Sequence, residues 1–164
     1  MANSKQKGKK GEQMEVKQGL LRVRNLKDFL EKYGEMVAFV NADYVVDEHH
    51  VYFAARKAIK AWEEGRRVAR TLPLEILLYS AATRQIKDAL AMGVKEGENR
   101  VVAVFLDPEM SVEGFEERKV LEMNEEKFRR IAEFFDISDV ELEIAGERLG
   151  LLVRERIILF DINK

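Results

Sequence analysis

The segment Thr71–Pro73, in the middle of the chain, sets the strongest local constraint on the fold. Proline lacks a backbone N–H and is tolerated only in the first turn of a helix, so this segment must stop one helix and begin another. Leu74 starts the new helix, and the apolar run 76–78 turns inward. A second helix start follows at Thr83, and Gly93 is placed to close that helix in the left-handed conformation. Residues 65–93 therefore predict two short helices.

The same region is the most basic part of the chain. Residues 56–87 contain eight basic and three acidic side chains, a net charge of +5, whereas the whole chain of 164 residues carries −2. A basic region in a nearly neutral chain indicates a local anion site. Lys57, Arg70, Thr71 and Arg84 are the candidates, because cationic side chains and free N–H groups at helix starts converge on anions. A solvated basic face is the alternative, and it stays open.

Clear strand and helix signals lie on both sides of this region. We predict strands at 16–24, 36–40 and 100–106, and helices at 26–33, 51–64, 125–135, 138–144 and 147–160. Asn25, Asp47 and Asn124 are the expected N-caps, and Ser138 with Glu141 forms a capping box. The alternation of apolar residues in 138–144 also fits a strand, which remains the alternative for this segment. Residues 111–120 are expected to be irregular. The fold class is α+β, with one small, mostly antiparallel sheet covered by helices.

The length of the chain fits one domain. Residues 1–13 contain too few apolar side chains to order themselves, so we expect a disordered basic leader followed by a single domain at 14–164. The absence of cysteine, of a secretory signal and of a long apolar run favours the cytosol. The charged fraction of 35%, with both signs mixed, is typical of a thermophilic source, and a helix-rich mesophilic protein is the alternative.

No pattern in the sequence points to catalysis. It contains neither a glycine-rich phosphate loop nor a nucleophile in a GxSxG context, and it has no cysteine. His49 and His50 are adjacent, so a helix would point them about 100° apart, which does not suit two ligands of one metal. We expect both to be surface or capping residues. The sequence thus predicts no catalytic residue, no metal and no cofactor.

The last predicted helix is apolar on more than one side. One stripe consists of Leu149, Leu152, Val153, Ile157 and Phe160. A second consists of Leu151, Ile158 and Ile162. A helix that is apolar on two sides is either fully buried or waiting for a partner, and full burial is difficult in a small domain. We assign the first stripe to the core and the second to a partner protein.

Residues 70–90, RTLPLEILLYSAATRQIKDAL, carry a resemblance to a known family, together with residues 54–58, Gly65, residues 101–106 and the last helix. The chain resembles the small kinase-binding subunit of the KEOPS complex, as an archaeal relative of the PRPK-binding protein family. The resemblance implies a non-catalytic subunit that docks the complex's small protein kinase and contacts the other subunits indirectly. It also implies binding of the acceptor end of tRNA during formation of threonylcarbamoyladenosine.

Residue roles follow from this resemblance. Leu151, Ile158 and Ile162 are the expected kinase-binding residues. The expected RNA-binding residues are Lys57, Arg66, Arg70, Thr71, Tyr79 and Arg84. Tyr79 and Tyr44 are candidate stacking platforms for single-stranded RNA, with a place in the core as the alternative for Tyr79. The rival function is a stand-alone RNA-modifying or nucleotide-handling enzyme that uses the basic centre, and the missing nucleotide loop and acid–base pair speak against it.

Overall fold

The computed structural model of the protein describes residues 13–164, so the predicted leader lies outside the described residues except for Gln13. This part of the chain forms four strands and seven α-helices. They are β1 (Glu15–Val23), α1 (Leu26–Tyr33), β2 (Val37–Asn41), α2 (Glu48–Glu63), α3 (Leu72–Ala81), α4 (Ile86–Leu90), β3 (Gly97–Phe105), β4 (Phe115–Glu117), α5 (Glu125–Phe134), α6 (Asp139–Ile144) and α7 (Leu149–Asn163). A short 3₁₀ turn, Ala42–Tyr44, follows β2.

The four strands form one antiparallel sheet in the order β2-β3-β1-β4. This confirms the α+β class with a small antiparallel sheet. The fourth strand corrects the prediction of an irregular segment at 111–120. It pairs with β1 at a point where Gly19 has no side chain, because a Cβ there would lie 2.2 Å from the carbonyl oxygen of Glu116. The close approach of β1 and β4 therefore depends on a contact between distant segments.

The sheet buries a different apolar cluster on each face. Val102 and Val104 of β3 point to one face, where they join a large core formed with α2, α3, α5 and α7. Val101 and Phe105 point to the other face, where they pack with Phe29 of α1. Successive side chains of a strand alternate between faces, so the continuous apolar run of β3 serves both cores.

The predicted helix starts agree closely with the structure. The side chains of Asn25, Asp47 and Asn124 each accept a backbone N–H three residues on, at 3.0, 2.8 and 2.8 Å. Ser138 and Glu141 form the expected capping box, so residues 139–144 are a helix and the strand alternative is wrong. These caps satisfy N–H groups that have no partner inside the helix.

The α2–α3 pair forms the centre of the helical layer. Ala54, Ala58 and Ala61 of α2 are buried, and such small side chains let a neighbouring helix approach closely. Thr71 caps α3, whose apolar residues are almost all buried. The helix ends at Ala82 in the left-handed conformation, with φ of 52°. Gly93 does not have a positive φ, so its predicted left-handed role is wrong.

His50 is fully buried on α2, which corrects the prediction of a surface or capping histidine. Its Nδ1 accepts the backbone N–H of Val46 at 3.2 Å, and its Nε2 donates to the carbonyl of Ser80 at 2.9 Å. Both ring nitrogens are satisfied only in the neutral form. Burial lowers the pKa of His50 from 6.5 to about 4. The neighbouring His49 is exposed and lies edge-on to Phe53.

Candidate functional site

The outward side of α7 carries an exposed apolar line. Leu151, Ile158 and Ile162 keep 44%, 39% and 72% of their surface exposed. At about 100° per residue the three side chains fall within an arc of about 40°, opposite the side that enters the core. Residues 149, 152, 153 and 157 are buried on that inner side. We call Leu151, Ile158 and Ile162 the outer face of α7.

Two other groups of exposed apolar residues were not predicted. Leu159 is exposed beside the outer face. On α6, Val140 and Ile144 are also exposed, and their four-residue spacing is the signal that places them on one side of a helix. An ion pair between Glu141 and Arg156, at 2.9 Å, ties α6 to α7. The Arg156 guanidinium, helped by the capping contacts of Ser138, lowers the pKa of Glu141 to about 2.

A second surface is the basic loop, residues 64–71, which joins α2 to α3. Arg66, Arg67 and Arg70 are all exposed. The Arg67 guanidinium lies 4.4 Å from the centroid of the Trp62 ring. Arg66 contacts Glu64 at 2.9 Å and Asp161 of α7 at 3.3 Å. Arg70 has no hydrogen-bonded or ionic partner within residues 13–164, so its donors face solvent.

The structure brings some of the other candidate RNA-binding residues close to this loop and separates others. Thr71 ends the loop, with its hydroxyl accepting the N–H of Leu74 at 3.3 Å. Lys57 lies on α2, with its ammonium 5.7 Å from the ring centroid of Phe53. Arg84 follows the opposite end of α3, and ten helical residues span about 15 Å. The helix thus separates the backbone of Arg84 from that of Arg70 and Thr71.

Tyr79 is fully buried, which removes it as a stacking platform and confirms the alternative of a core residue. Its hydroxyl donates to Asp161 at 2.5 Å, and its ring lies edge-on to Phe160 at 4.9 Å. The Lys164 ammonium lies 4.5 Å from the ring centroid, and a ring without exposed surface offers no face to a base. Burial also raises the pKa of Tyr79. The other candidate platform, Tyr44, is half-buried against Phe134.

Better stacking candidates lie on α2, where basic side chains sit over aromatic rings. Tyr52 is exposed beneath the guanidinium of Arg56, 6.0 Å from its ring centroid. Trp62 is half-buried beneath Arg67. These aromatic residues were missed from the sequence. The spacing of Tyr52 to Arg56, four residues on a helix, is the signal that could have identified one of them.

An apolar groove of about 300 Å³ begins where the basic loop ends. One wall is α1, with Leu26 and Leu30, and the other is the start of α3, with Pro73 and Leu74. Its floor is the outer edge of β2, residues 37–39. Thr71 belongs to both the loop and the groove, so the basic loop and the apolar groove adjoin each other.

The part of the chain that the structure describes shows neither a metal site nor a membrane-spanning helix. Across residues 13–164, no three histidine, aspartate or glutamate side chains are grouped closely enough to hold a metal ion. No helix within that same range is long and apolar enough to cross a membrane.

The fold and its surfaces define a small α+β protein with an exposed apolar helix face and a separate basic loop. A family model described as kinase binding protein CGI-121 matches residues 15–147, from β1 to the turn before α7. The match covers most of the chain, and the protein belongs to this family. A curated relative, the KEOPS complex subunit Cgi121 of Pyrococcus abyssi, is 47% identical over 53 residues. That alignment spans 32% of this chain and 31% of the relative. The resemblance found in the sequence is confirmed.

Proposed function

We propose that the protein is a non-catalytic subunit of a cytoplasmic KEOPS complex. It binds the small protein kinase of the complex and helps to recruit tRNA, through the acceptor end, for threonylcarbamoyladenosine formation. The observation that carries this proposal is the outer face of α7, an exposed apolar line on a member of a kinase-binding family. The rival, a stand-alone RNA-modifying or nucleotide-handling enzyme, would be supported if the purified chain bound ATP.

The outer face has the dimensions of a helix that docks into a groove. Leu151 and Ile162 are eleven residues apart, about 16 Å along the helix axis. Ile158 lies between them, and Leu159 widens the apolar strip on one side. Helix-in-groove recognition uses apolar anchors at this kind of spacing, and a few central anchors supply most of the affinity. The kinase would cover the three anchors and leave the inner side of α7 in the core.

Replacing Ile158 by Glu tests this assignment. Because the residue is exposed in the free chain, the substitution should change the unfolding free energy by no more than about 0.5 kcal/mol. In the complex the carboxylate would be desolvated without a partner, so capture of the kinase should be lost. Ile86→Glu introduces the same change at an exposed isoleucine of α4 and should leave binding intact. Val153→Glu, on the buried side, should unfold the domain.

Thermal unfolding and kinase pull-down of the three variants give the answer. If Ile158→Glu unfolds the chain, or still captures the kinase as the wild type does, the faces of α7 are assigned wrongly. If Ile86→Glu also loses the kinase, the interface lies elsewhere or the effect is one of charge alone.

The RNA part of the proposal rests on the basic loop and the neighbouring face of α2. Lys57, Arg66 and Arg70 would contact phosphates, since guanidinium and ammonium groups bind them by charge and hydrogen bonds. Tyr52 and Trp62 offer ring faces for stacking, which is how single-stranded nucleic acids are held without sequence readout. Thr71 stands where the loop meets the apolar groove, which is suited to an unstacked terminal base.

Arg70→Glu is the sharpest test, because this residue has no partner within the described chain whose loss could disturb the fold. We expect weaker tRNA binding and a salt dependence reduced by roughly one unit of slope. Arg118→Glu makes the same change next to β4, at the sheet edge opposite β2, and should bind normally. Arg84→Glu then shows whether the RNA extends along α3. Equal binding of intact tRNA and tRNA trimmed of its 3′ single strand would refute the acceptor-end assignment.

A further inference from the structure

The last turn of α7 is joined to the basic loop through a buried ion pair. Glu75 of α3 is fully buried, and its Oε1 accepts the backbone N–H groups of Val68 at 2.9 Å and Ala69 at 2.7 Å. Its Oε2 accepts the ammonium of Lys164 at 2.7 Å. The Lys164 side chain is only 3% exposed. One carboxylate therefore fixes two consecutive amides of the loop and the residue after α7.

A second contact joins the same two segments. The Oδ1 of Asp161 in α7 accepts the hydroxyl of Tyr79 and the guanidinium of Arg66. Arg66 belongs to the basic loop, and the Tyr79 ring lies beneath the Lys164 ammonium. We call Arg66, Glu75, Tyr79, Asp161 and Lys164 the loop–helix network. Arg66 also belongs to the proposed RNA surface, whereas the other four residues belong to neither the RNA nor the kinase surface.

The structure shows the intact state of the network. With the last turn of α7 in place, the Glu75 charge is compensated by Lys164. If that turn frays, the carboxylate stays buried without its cation, which is costly, so water must enter and the amides of Val68 and Ala69 are released. Loss of order at the end of α7 thus leads to loss of order in the basic loop.

The same turn carries the exposed end of the outer face. Ile162 points outward between Asp161 and Lys164, whose side chains point into the network. A partner that covers Ile158 and Ile162 holds this turn in its helical form. Binding on the outside of α7 and order in the basic loop therefore depend on one short element.

We propose that the Glu75–Lys164 pair positions the basic loop and couples the two surfaces, so that kinase docking on α7 strengthens RNA binding by the loop. This inference rests on the proposed function, because it takes the kinase and the tRNA as the two ligands. Linkage requires the effect to be reciprocal: RNA on the loop strengthens kinase binding by the same factor. Glu75 and Lys164 act as positioning residues and touch neither ligand.

Amide hydrogen exchange measures the coupling between kinase docking on α7 and order in the basic loop, and it needs no RNA. Adding the purified kinase to the wild-type chain should slow exchange at Val68 and Ala69. In Lys164→Met, which keeps the aliphatic stem and removes the charge, these two amides should exchange faster and respond little to the kinase. Lys87→Met removes one positive charge from the exposed side of α4 and should behave as the wild type. Equal protection of Val68 and Ala69 in the wild type and Lys164→Met would overturn the proposal.

The affinity for an acceptor-end RNA oligonucleotide, measured with and without the kinase, tests the functional consequence. The wild type should bind the RNA at least about five-fold tighter with the kinase present, the lower end of ordinary coupling. The ratio in Lys164→Met should fall towards one, and comparing the two ratios removes any direct contact between kinase and RNA. If Lys164→Met does not fold, Tyr79→Phe, which removes only the hydroxyl donated to Asp161, takes its place.

The failures of the two proposals are distinguishable. A wild-type chain that binds neither the kinase nor the RNA overturns the proposed function and this inference with it. A chain that binds both, with the same kinase-dependent ratio in the wild type and in the network variants, overturns the coupling alone.

Discussion

Acidification should destabilise this protein through His50. The imidazole is fully buried, Nδ1 accepts the N–H of Val46, and Nε2 donates to the carbonyl of Ser80. A second proton would have to be placed on Nδ1, where it would face an N–H group that already points at the ring. Protonation therefore requires the surroundings of α2 to open.

The magnitude follows from the two pKa values. The pKa of His50 falls from 6.5 in the unfolded chain to about 4 in the folded protein, mainly because burial disfavours the charged form. Asp47 opposes this shift, whereas Arg154 and Lys127 add to it. Between these values the unfolded chain binds more protons, so stability is lost as the pH falls through this window. At about 1.4 kcal/mol per pH unit, the loss reaches about 3 kcal/mol, a large part of an ordinary domain's stability.

Urea unfolding at about pH 7 and about pH 4.5 measures this loss of stability, since the two pH values span most of the range between the unfolded and folded pKa values of His50. His50→Gln cannot titrate and should lose much less stability between them, although it starts from a lower value because the buried hydrogen bonds change. His49→Gln is the matched control, because the neighbouring histidine is exposed, and it should follow the wild type. The reasoning is refuted if His50→Gln and the wild type lose equal stability on acidification.

Two further predictions concern stability. Lys127 is buried, its ammonium has no hydrogen-bond partner among the described residues, and burial lowers its pKa. Lys127→Met should therefore raise the unfolding free energy by about 1 kcal/mol. An unchanged or lower melting temperature would contradict this prediction. In Gly19→Ala the new methyl group would collide with the Glu116 carbonyl. We expect displacement of β4 and a loss of about 1–3 kcal/mol in unfolding free energy. Unchanged amide exchange at residues 115–117 would show that the sheet edge accommodates the methyl group.

The helix starts could be predicted because their cause is local. Asn25, Asp47, Asn124 and Ser138 each act on an N–H three residues away, so the signal and its effect lie in the same short window. The same holds for the outer face of α7. Its apolar residues repeat at helical spacing on two sides, and one side alone can enter a single core.

The misses come from contacts between distant segments. β4 has only three residues, and the role of Gly19 becomes visible only once the strand register is known. His50 could have been placed better, because it lies four residues before Ala54 and eight before Ala58 on the buried stripe of α2. For Tyr79 the sequence left a place in the core open as the alternative, and the contacts that decide it come from Phe160 and Lys164, more than eighty residues away.

The loop–helix network explains how the basic loop keeps Arg70 without a partner among the described residues. The Glu75 carboxylate fixes the backbone of this loop through two consecutive amides. A buried carboxylate also needs a cation. Had Arg70 provided that cation, its guanidinium would have been buried in the core of the domain. Lys164 provides it instead, from 89 residues away, and leaves Arg70 facing solvent. The backbone of the basic loop is therefore fixed by a residue that follows α7, and the +5 charge of this region, read from sequence alone, gives no sign of that contact.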